Sequence, residues 1–246
     1  MIKKNDDLGA QALNSTAEMA LSSQLDEVKQ LDVDIDSDPG KLIQGKIDSL
    51  EIEGKGLVMQ QDLRMEELNM QVTNIAINPL SALGGKIELT EPGHGRAQVV
   101  LTEADMNRAF ASEYLSDKLR SLDIQVEGKP VKIDTQQVQC HLLNDGKIGL
   151  DTDILRSDTG QTQSVSFTTK PQVVSGGKGV VLEDIQYAEG KELPPELTEA
   201  LVDKVADILN LRSFDLEGMS LSIDKLQVEA GQLRIEAQAR VEKIPS

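Results

Sequence analysis

Residues 218–241, GMSLSIDKLQVEAGQLRIEAQARV, hold two apolar runs that keep different steps. The second run, Leu233, Ile235, Ala237, Ala239 and Val241, alternates with polar residues as a half-buried strand requires. The first run moves by two from Leu221 to Ile223, by three to Leu226, then by two to Val228. In a regular strand a three-residue step would throw the second pair onto the opposite face. One extra residue at Asp224-Lys225, a β-bulge, returns both pairs to one face and bends the strand. Glu229-Ala230-Gly231-Gln232 supplies a tight turn, so the segment predicts a bulged hairpin. The same step recurs in Met70, Val72, (Thr73-Asn74), Ile75, Ile77 and in Val180, Leu182, (Glu183-Asp184), Ile185, Tyr187. A shorter copy is Ile47, (Asp48-Ser49), Leu50, Ile52. Neighbouring strands that bend at one level make a curled sheet, and a curled sheet encloses a hollow.

Helical spacing of Leu8, Ala12, Leu13, Met19, Leu25 and Val28 predicts a helix over 7–30. Leu31, Val33 and Ile35 then alternate with Asp32, Asp34 and Asp36. This acidic ladder does not fit a calcium loop. Counted from Asp32, the positions needing Gly and Glu hold Ser37 and Ile43; counted from Asp34, they hold Pro39 and Gly45. A solvated strand face is expected instead. Strands are expected at 46–53, 66–78, 86–91 and 96–101, with a loop at Pro92-Gly93-His94-Gly95. Thr102, with Asp105 three residues on, predicts the start of a helix over 103–122. Met106, Ala109 and Phe110 define one of its faces and Leu115, Leu119 and Leu122 another, so a break is expected near Ser112. Further strands are expected at 124–126, 131–142, around 165–169 and at 180–187, with a turn at Asn144-Asp145-Gly146. Pro194-Pro195 opens a helix whose apolar stripe is Leu197, Leu201, Val205 and Ile208.

Hairpin succession implies antiparallel pairing. The expected fold is α+β: a long, curved, bulged antiparallel sheet wrapped around two or three helices. One domain, 1–246, would be built of three helix-then-strands units, 7–101, 102–190 and 191–246.

Three Phe, two Tyr and no Trp leave the interior almost wholly aliphatic, closer in character to acyl chains than to an aromatic-rich core. A formal charge of -17 argues against nucleic acid and against stable adsorption to anionic membranes. No apolar run approaches the ~20 residues of a membrane span. The start, Met-Ile-Lys-Lys-Asn-Asp-Asp, has no apolar signal core. A single cysteine, Cys140, fits a reducing compartment, and a cytoplasmic protein is expected, peripheral at a membrane where it meets one. His94 and His141 have no companions at metal-ligand spacing. Cys140 reads as a core residue, and no nucleophile elbow, phosphate loop or dinucleotide fingerprint occurs. No catalytic residue, metal or cofactor is expected.

GKIDSLEIEGKGLVMQQDLRMEELNMQVTNIAINPLSALGGKIELTEP, followed by VVLTEADMNRAFASEYLSDKL, resembles the LmeA-like phospholipid-binding family of bacteria over roughly 8–241. The resemblance implies phospholipid binding and the curved sheet of tubular lipid-binding proteins, with no catalytic residues. An aliphatic groove is then expected from Leu101, Met106, Phe110, Leu115, Leu119, Leu197, Leu201, Val205, Ile208, Leu221, Ile223, Leu226 and Val228. Arg96, Arg108 or Arg212 would stand at its rim for a headgroup. The partner would be a phospholipid or related lipid, membrane contact would be transient, and the residues do not identify a protein partner. The competing reading is an acidic scaffold or protein-interaction domain with a filled core and no ligand.

Overall fold

The computed structural model describes residues 8–59, 62–78, 89–120, 122–126, 128–208, 219–229 and 231–242. Five helices occur among them: α1 (Leu8–Ser22), α2 (Pro39–Ile43), α3 (Glu103–Ala111), α4 (Glu113–Leu119) and α5 (Pro195–Ile208). The strands are β1 (Leu25–Asp36), β2 (Lys46–Met59), β3 (Leu63–Ile77), β4 (Leu89–Glu91), β5 (Gly93–Thr102), β6 (Leu122–Val126), β7 (Lys129–Leu142), β8 (Ile148–Arg156), β9 (Thr162–Val173), β10 (Val180–Tyr187), β11 (Met219–Glu229) and β12 (Gln232–Val241). The fold is α+β and antiparallel, with strong curl into a half-barrel. The strands divide between two sheets. One runs β1-β2-β3-β5-β12-β11, with β4 beside β3, and the other runs β10-β9-β8-β7-β6.

The two strands β11 and β12 pair as their spacing requires. The pairing of β11 with β12 slips between Ile223 and Lys225, leaving Asp224 as the extra residue. Leu221, Ile223, Leu226 and Val228 therefore stand opposite Ala239, Ala237, Ile235 and Leu233, all on one face. A second bulge sits at Asp184 (φ 53°), where β10 slips against β9. The irregularities at Asn74 (φ 56°) and Asp48 face each other across β2 and β3, so both strands gain one residue and their register is unbroken. These two bend at one level, whereas the β11 bulge lies further along, level with Ala97 and Ala237. A bulge missed in the sequence is at Gln137 (φ 50°) in β7. Its signal was the odd step of seven between Ile133 and Cys140, both fully buried.

Three expectations need correction. Residues 25–30 are strand, not helix: α1 stops at Ser22, and Val28 pairs with Leu57. Leu122 belongs to β6 and its sheet core, not to a helix. Gly93 and Gly95 lie within β5, not a loop, beside the Val72 side chain at 3.5 and 3.4 Å from where a Cβ would be. The helix break at Ser112 is present, with Ser112 closing α3 and capping α4 through its Oγ. Pro171 sits inside β9, but beyond the last residue paired with β8, so its missing N–H leaves no ladder bond unmade on that side.

Exposed strand edges are met by groups from other elements. Glu18 Oε1 and Asn14 Oδ1 of α1 accept from the N–H groups of Val33 (3.2 Å) and Ile35 (3.0 Å) on β1. Beyond the short β6, Asn107 of α3 accepts from Cys140 N–H (2.7 Å) and donates to its carbonyl (2.9 Å), while Glu103 accepts from Leu142 N–H (2.9 Å). On β11 the Ile223 N–H donates to the Gly177 carbonyl (2.8 Å) in the β9–β10 turn. Gly177 has φ +69°, and a Cβ there would lie 2.5 Å from the Ile223 carbonyl oxygen. Gly177→Ala should therefore cost at least the ~1–2 kcal/mol of left-handed backbone and loosen the junction between the sheets. A thermal melt lowered by several degrees is expected; an unchanged melt would contradict this role for Gly177.

Candidate functional site

Residues paired directly across a sheet share a face, so register alone defines the surface of the larger sheet. One row across its six main strands is Val33, Ile52, Met70, Ala97, Ala237, Ile223. Beside it run Ile35, Leu50, Val72, Gly95, Ala239, Leu221 and Leu31, Gly54, Leu68, Val99, Ile235, Leu226. All eighteen positions are aliphatic or glycine. Met70, Ala97, Val99, Ile235, Ala237 and Leu226 are only half-buried. On the two central strands the face carries only the small residues Gly95, Ala97, Ala237 and Ala239, and the Val72 and Met70 side chains of β3 come within 3.4 and 3.6 Å of where a Cβ of Gly95 would be. The opposite face is polar in the row Asp34, Glu51, Gln71, Arg96, Gln238, Ser222, and turns apolar at Val100, which is buried.

One end of the aliphatic face is closed by α3 and the second sheet. Val228, Leu233, Cys140, Leu142 and Ile148 form a buried cluster, and Leu101, Met106, Phe110 and Leu226 pack on it half-buried. Helix α3 is fixed there by polar bonds at its start. Thr102 Oγ1 accepts from the Asp105 N–H, and the Asp105 carboxylate accepts from Thr102 N–H (2.8 Å) and Oγ1–H (2.7 Å). Asp105, 2% exposed, also pairs with Arg64, which reaches Glu66 as well (2.6 Å). Burial alone would raise the Asp105 carboxyl. The Thr102 donors and the Arg64 guanidinium outweigh it and hold the group below the usual carboxylate range. The Cys140 thiol is pushed up to about 12 by burial and by the negative charge of Glu103, so at neutral pH it packs as a small apolar group.

The residues expected in one groove fall into two places. Leu101, Met106, Phe110, Leu226 and Val228 share the cluster just described, and Leu221 and Ile223 continue its face along β11. Leu197 and Leu201 instead join Leu122, Ile124, Val131, Ile133, Ile154, Val165 and Leu193 under the second sheet. That core is filled: Ile133 is 0% and Leu197 1% exposed. The Phe167 and Tyr187 rings meet at a tilt of 58°, centroids 5.7 Å apart, beside it, and the Tyr187 hydroxyl bonds Thr198 Oγ1 of α5 at 2.8 Å. Leu115 and Leu119 are half-buried on α4. The Val205 and Ile208 side chains and all of Arg212 lie outside the described residues.

Of the rim arginines, Arg108 is engaged by Asp62 (2.7 Å from its Nε) and Glu27 (3.6 Å). Arg96 lies on the polar face, on the other side of the sheet from Ala97, Val99 and Leu101. The alternation in GRAQVVLT carried that signal. Sequence reasoning also passed over the share of β1, β2, β3 and β5 in the aliphatic face, although Leu31, Val33, Ile35 and Leu68, Met70, Val72 display it. Asp32, Asp34 and Asp36 are exposed on β1. Among the described residues no group of three His, Cys, Asp or Glu is placed to hold a metal ion. Millimolar calcium should accordingly leave the melting temperature where matched magnesium leaves it, because only binding to the native state raises it. A calcium-specific rise would overturn that reading.

The arrangement defines an α+β protein with a curled antiparallel sheet, one face of which is continuously aliphatic. The chain belongs to the LmeA-like phospholipid-binding family, whose match spans residues 4–238. No curated protein and no solved structure matches it. No helix among the described residues is long and apolar enough to cross a membrane.

Proposed function

We propose that the protein binds a phospholipid without catalysing a reaction on it, and carries it between surfaces that it touches only transiently. The acyl chains lie across the aliphatic face of the larger sheet, in the trough over Gly95, Ala97, Ala237 and Ala239, and end against Met106, Phe110 and Leu226. The observation that supports this most is the run of three unbroken aliphatic rows across six strands with small residues at their centre. Each CH₂ removed from water contributes ~0.8 kcal/mol, so two chains need no strong polar contact to be held. The filled core around Leu197 is the framework in this reading, not the groove.

The test is uptake of a fluorescent phospholipid by delipidated protein, for wild type and Ala237→Phe. Ala237 stands between Ala97 and Ile223 in the middle of the trough. The ring should occupy acyl-chain space, cutting uptake severely while the melt stays near wild type. In a filled core the same substitution would overpack, cost ~1–3 kcal/mol and have no uptake to remove. A wild-type protein that takes up no phospholipid would leave the acidic scaffold as the reading.

A further inference from the structure

The polar face of the larger sheet carries a depression of about 450 Å³ lined by Gln71, Thr73, His94, Arg96 and Gln238, with Gly95 and Ala239 at its floor. In a chain with 42 acidic and 25 basic residues, no carboxylate lines it. Arg96 stands at its centre, flanked across the strands by two neutral amides, Gln71 and Gln238. It is also the described arginine without a hydrogen bond or ion pair. Arg64, Arg108, Arg120, Arg156 and Arg240 all meet carboxylates, and Arg234 meets Gln232. Arg96 also borders an adjoining depression that holds Glu51, Glu53, Asp224 and Glu236; none of these carboxylates pairs with it, and two are held by the flanking amides, Gln71 donating to Glu51 (2.9 Å) and Gln238 to Asp224 (2.8 Å). The donors left facing the depression are the Arg96 guanidinium, the His94 ring and the Thr73 hydroxyl.

We propose that this depression binds a phosphate group, borne either by a small soluble phosphoester or by a lipid headgroup, on the side of the sheet opposite the aliphatic trough. A planar guanidinium offers two parallel N–H donors that match two phosphate oxygens, and a neighbouring imidazole and hydroxyl complete a donor set on the remaining side. The charge of -17 opposes any anion at long range, but that field is screened beyond about 8 Å at physiological ionic strength. Recognition therefore occurs at contact, through the unpaired guanidinium. The polar side chains that form the site point away from the trough, and Gly95 and Ala239 are common to the two faces.

Amide chemical shifts of wild type and Arg96→Gln test the proposal, with inorganic phosphate, glycerol 3-phosphate and monomeric dihexanoyl phosphatidylglycerol as probes at matched chloride ionic strength. Arg96 is exposed, so Arg96→Gln should melt with wild type. Expected are shifts centred on residues 93–97 and 238–239, with affinity at least about tenfold lower in Arg96→Gln, as loss of a charge-assisted pair implies. Shifts with the two soluble phosphates identify a phosphoester site; Arg96-dependent shifts with the lipid alone identify a headgroup site. Shifts from none of the three probes, or equal shifts in Arg96→Gln, would overturn the proposal. Lipid uptake blocked by Ala237→Phe is read on the other face and is unaffected by either result.

Discussion

Asp105→Ala should be among the most destabilising single substitutions in the chain, costing about 3–5 kcal/mol in a denaturant melt at neutral pH. The carboxylate is nearly inaccessible, caps α3, and pairs with Arg64, whose side chain is itself only 16% exposed. Removing it orphans two Thr102 donors and leaves the guanidinium with Glu66 alone; that surviving partner puts the loss toward the lower end. Asp105→Asn separates charge from shape through pH. The native carboxyl sits below its unfolded value of ~3.9, so its contribution is complete above that pH and is lost as pH falls through the native value. The stability gap between wild type and Asp105→Asn should thus be constant from neutral pH down to about 5 and close in stronger acid. A gap that fails to shrink in acid would show that packing, and not the ion pair, carries the effect.

Leu197→Ala should cost ~2–5 kcal/mol, because the side chain fills a closed core with Leu122, Ile133 and Leu193 and leaves a cavity when truncated. Leu226→Ala, at the half-buried edge of the trough, should cost clearly less in delipidated protein while weakening lipid uptake. Paired denaturant melts decide the matter. Equal and large losses at both positions would mean that the trough is packed like the core beneath α5, and the groove reading would fail.

The two predictions divide residues that sequence spacing alone placed together. Met106, Leu197 and Leu226 are alike in the sequence, each an aliphatic residue on an amphipathic element. Nothing local says that α3 closes the end of one sheet while α5 covers the other. That partition depends on which strands pair, and the three-residue steps did not carry it. What those steps did carry was local geometry: the bulges at Asp224 and Asp184 follow from parity, because an aliphatic pair cannot leave its face without exposing itself. At Gln137 the apolar residues before the slip stop at Ile133 and resume at Val138, so no adjacent pair of apolar steps announced it. Residues 25–30 were misread because Leu25 and Val28 suit a helix period and a bulged strand equally. Pairing with Met59 and Leu57 decided between them. Arg96 was legible as a cation but not as a neighbour. Its partners across the sheet, Gln71 and Gln238, lie 25 residues before it and 142 after it.

The side chains that meet the strand edges also bear on how the protein behaves in a crowd. A long, half-apolar sheet ending in free peptide groups is a template onto which the next molecule can add, strand upon strand, toward a fibril. Here Asn14 and Glu18 take the amides of β1, Asn107 and Glu103 those of β7, and the Gly177 carbonyl that of the bulged β11. Mutual repulsion among molecules carrying a charge of -17 weakens as salt rises, whereas edge amides already hydrogen-bonded within the molecule remain occupied. The molecule can therefore keep an aliphatic face available for a lipid at high concentration and high ionic strength without being drawn into polymer through the same sheet.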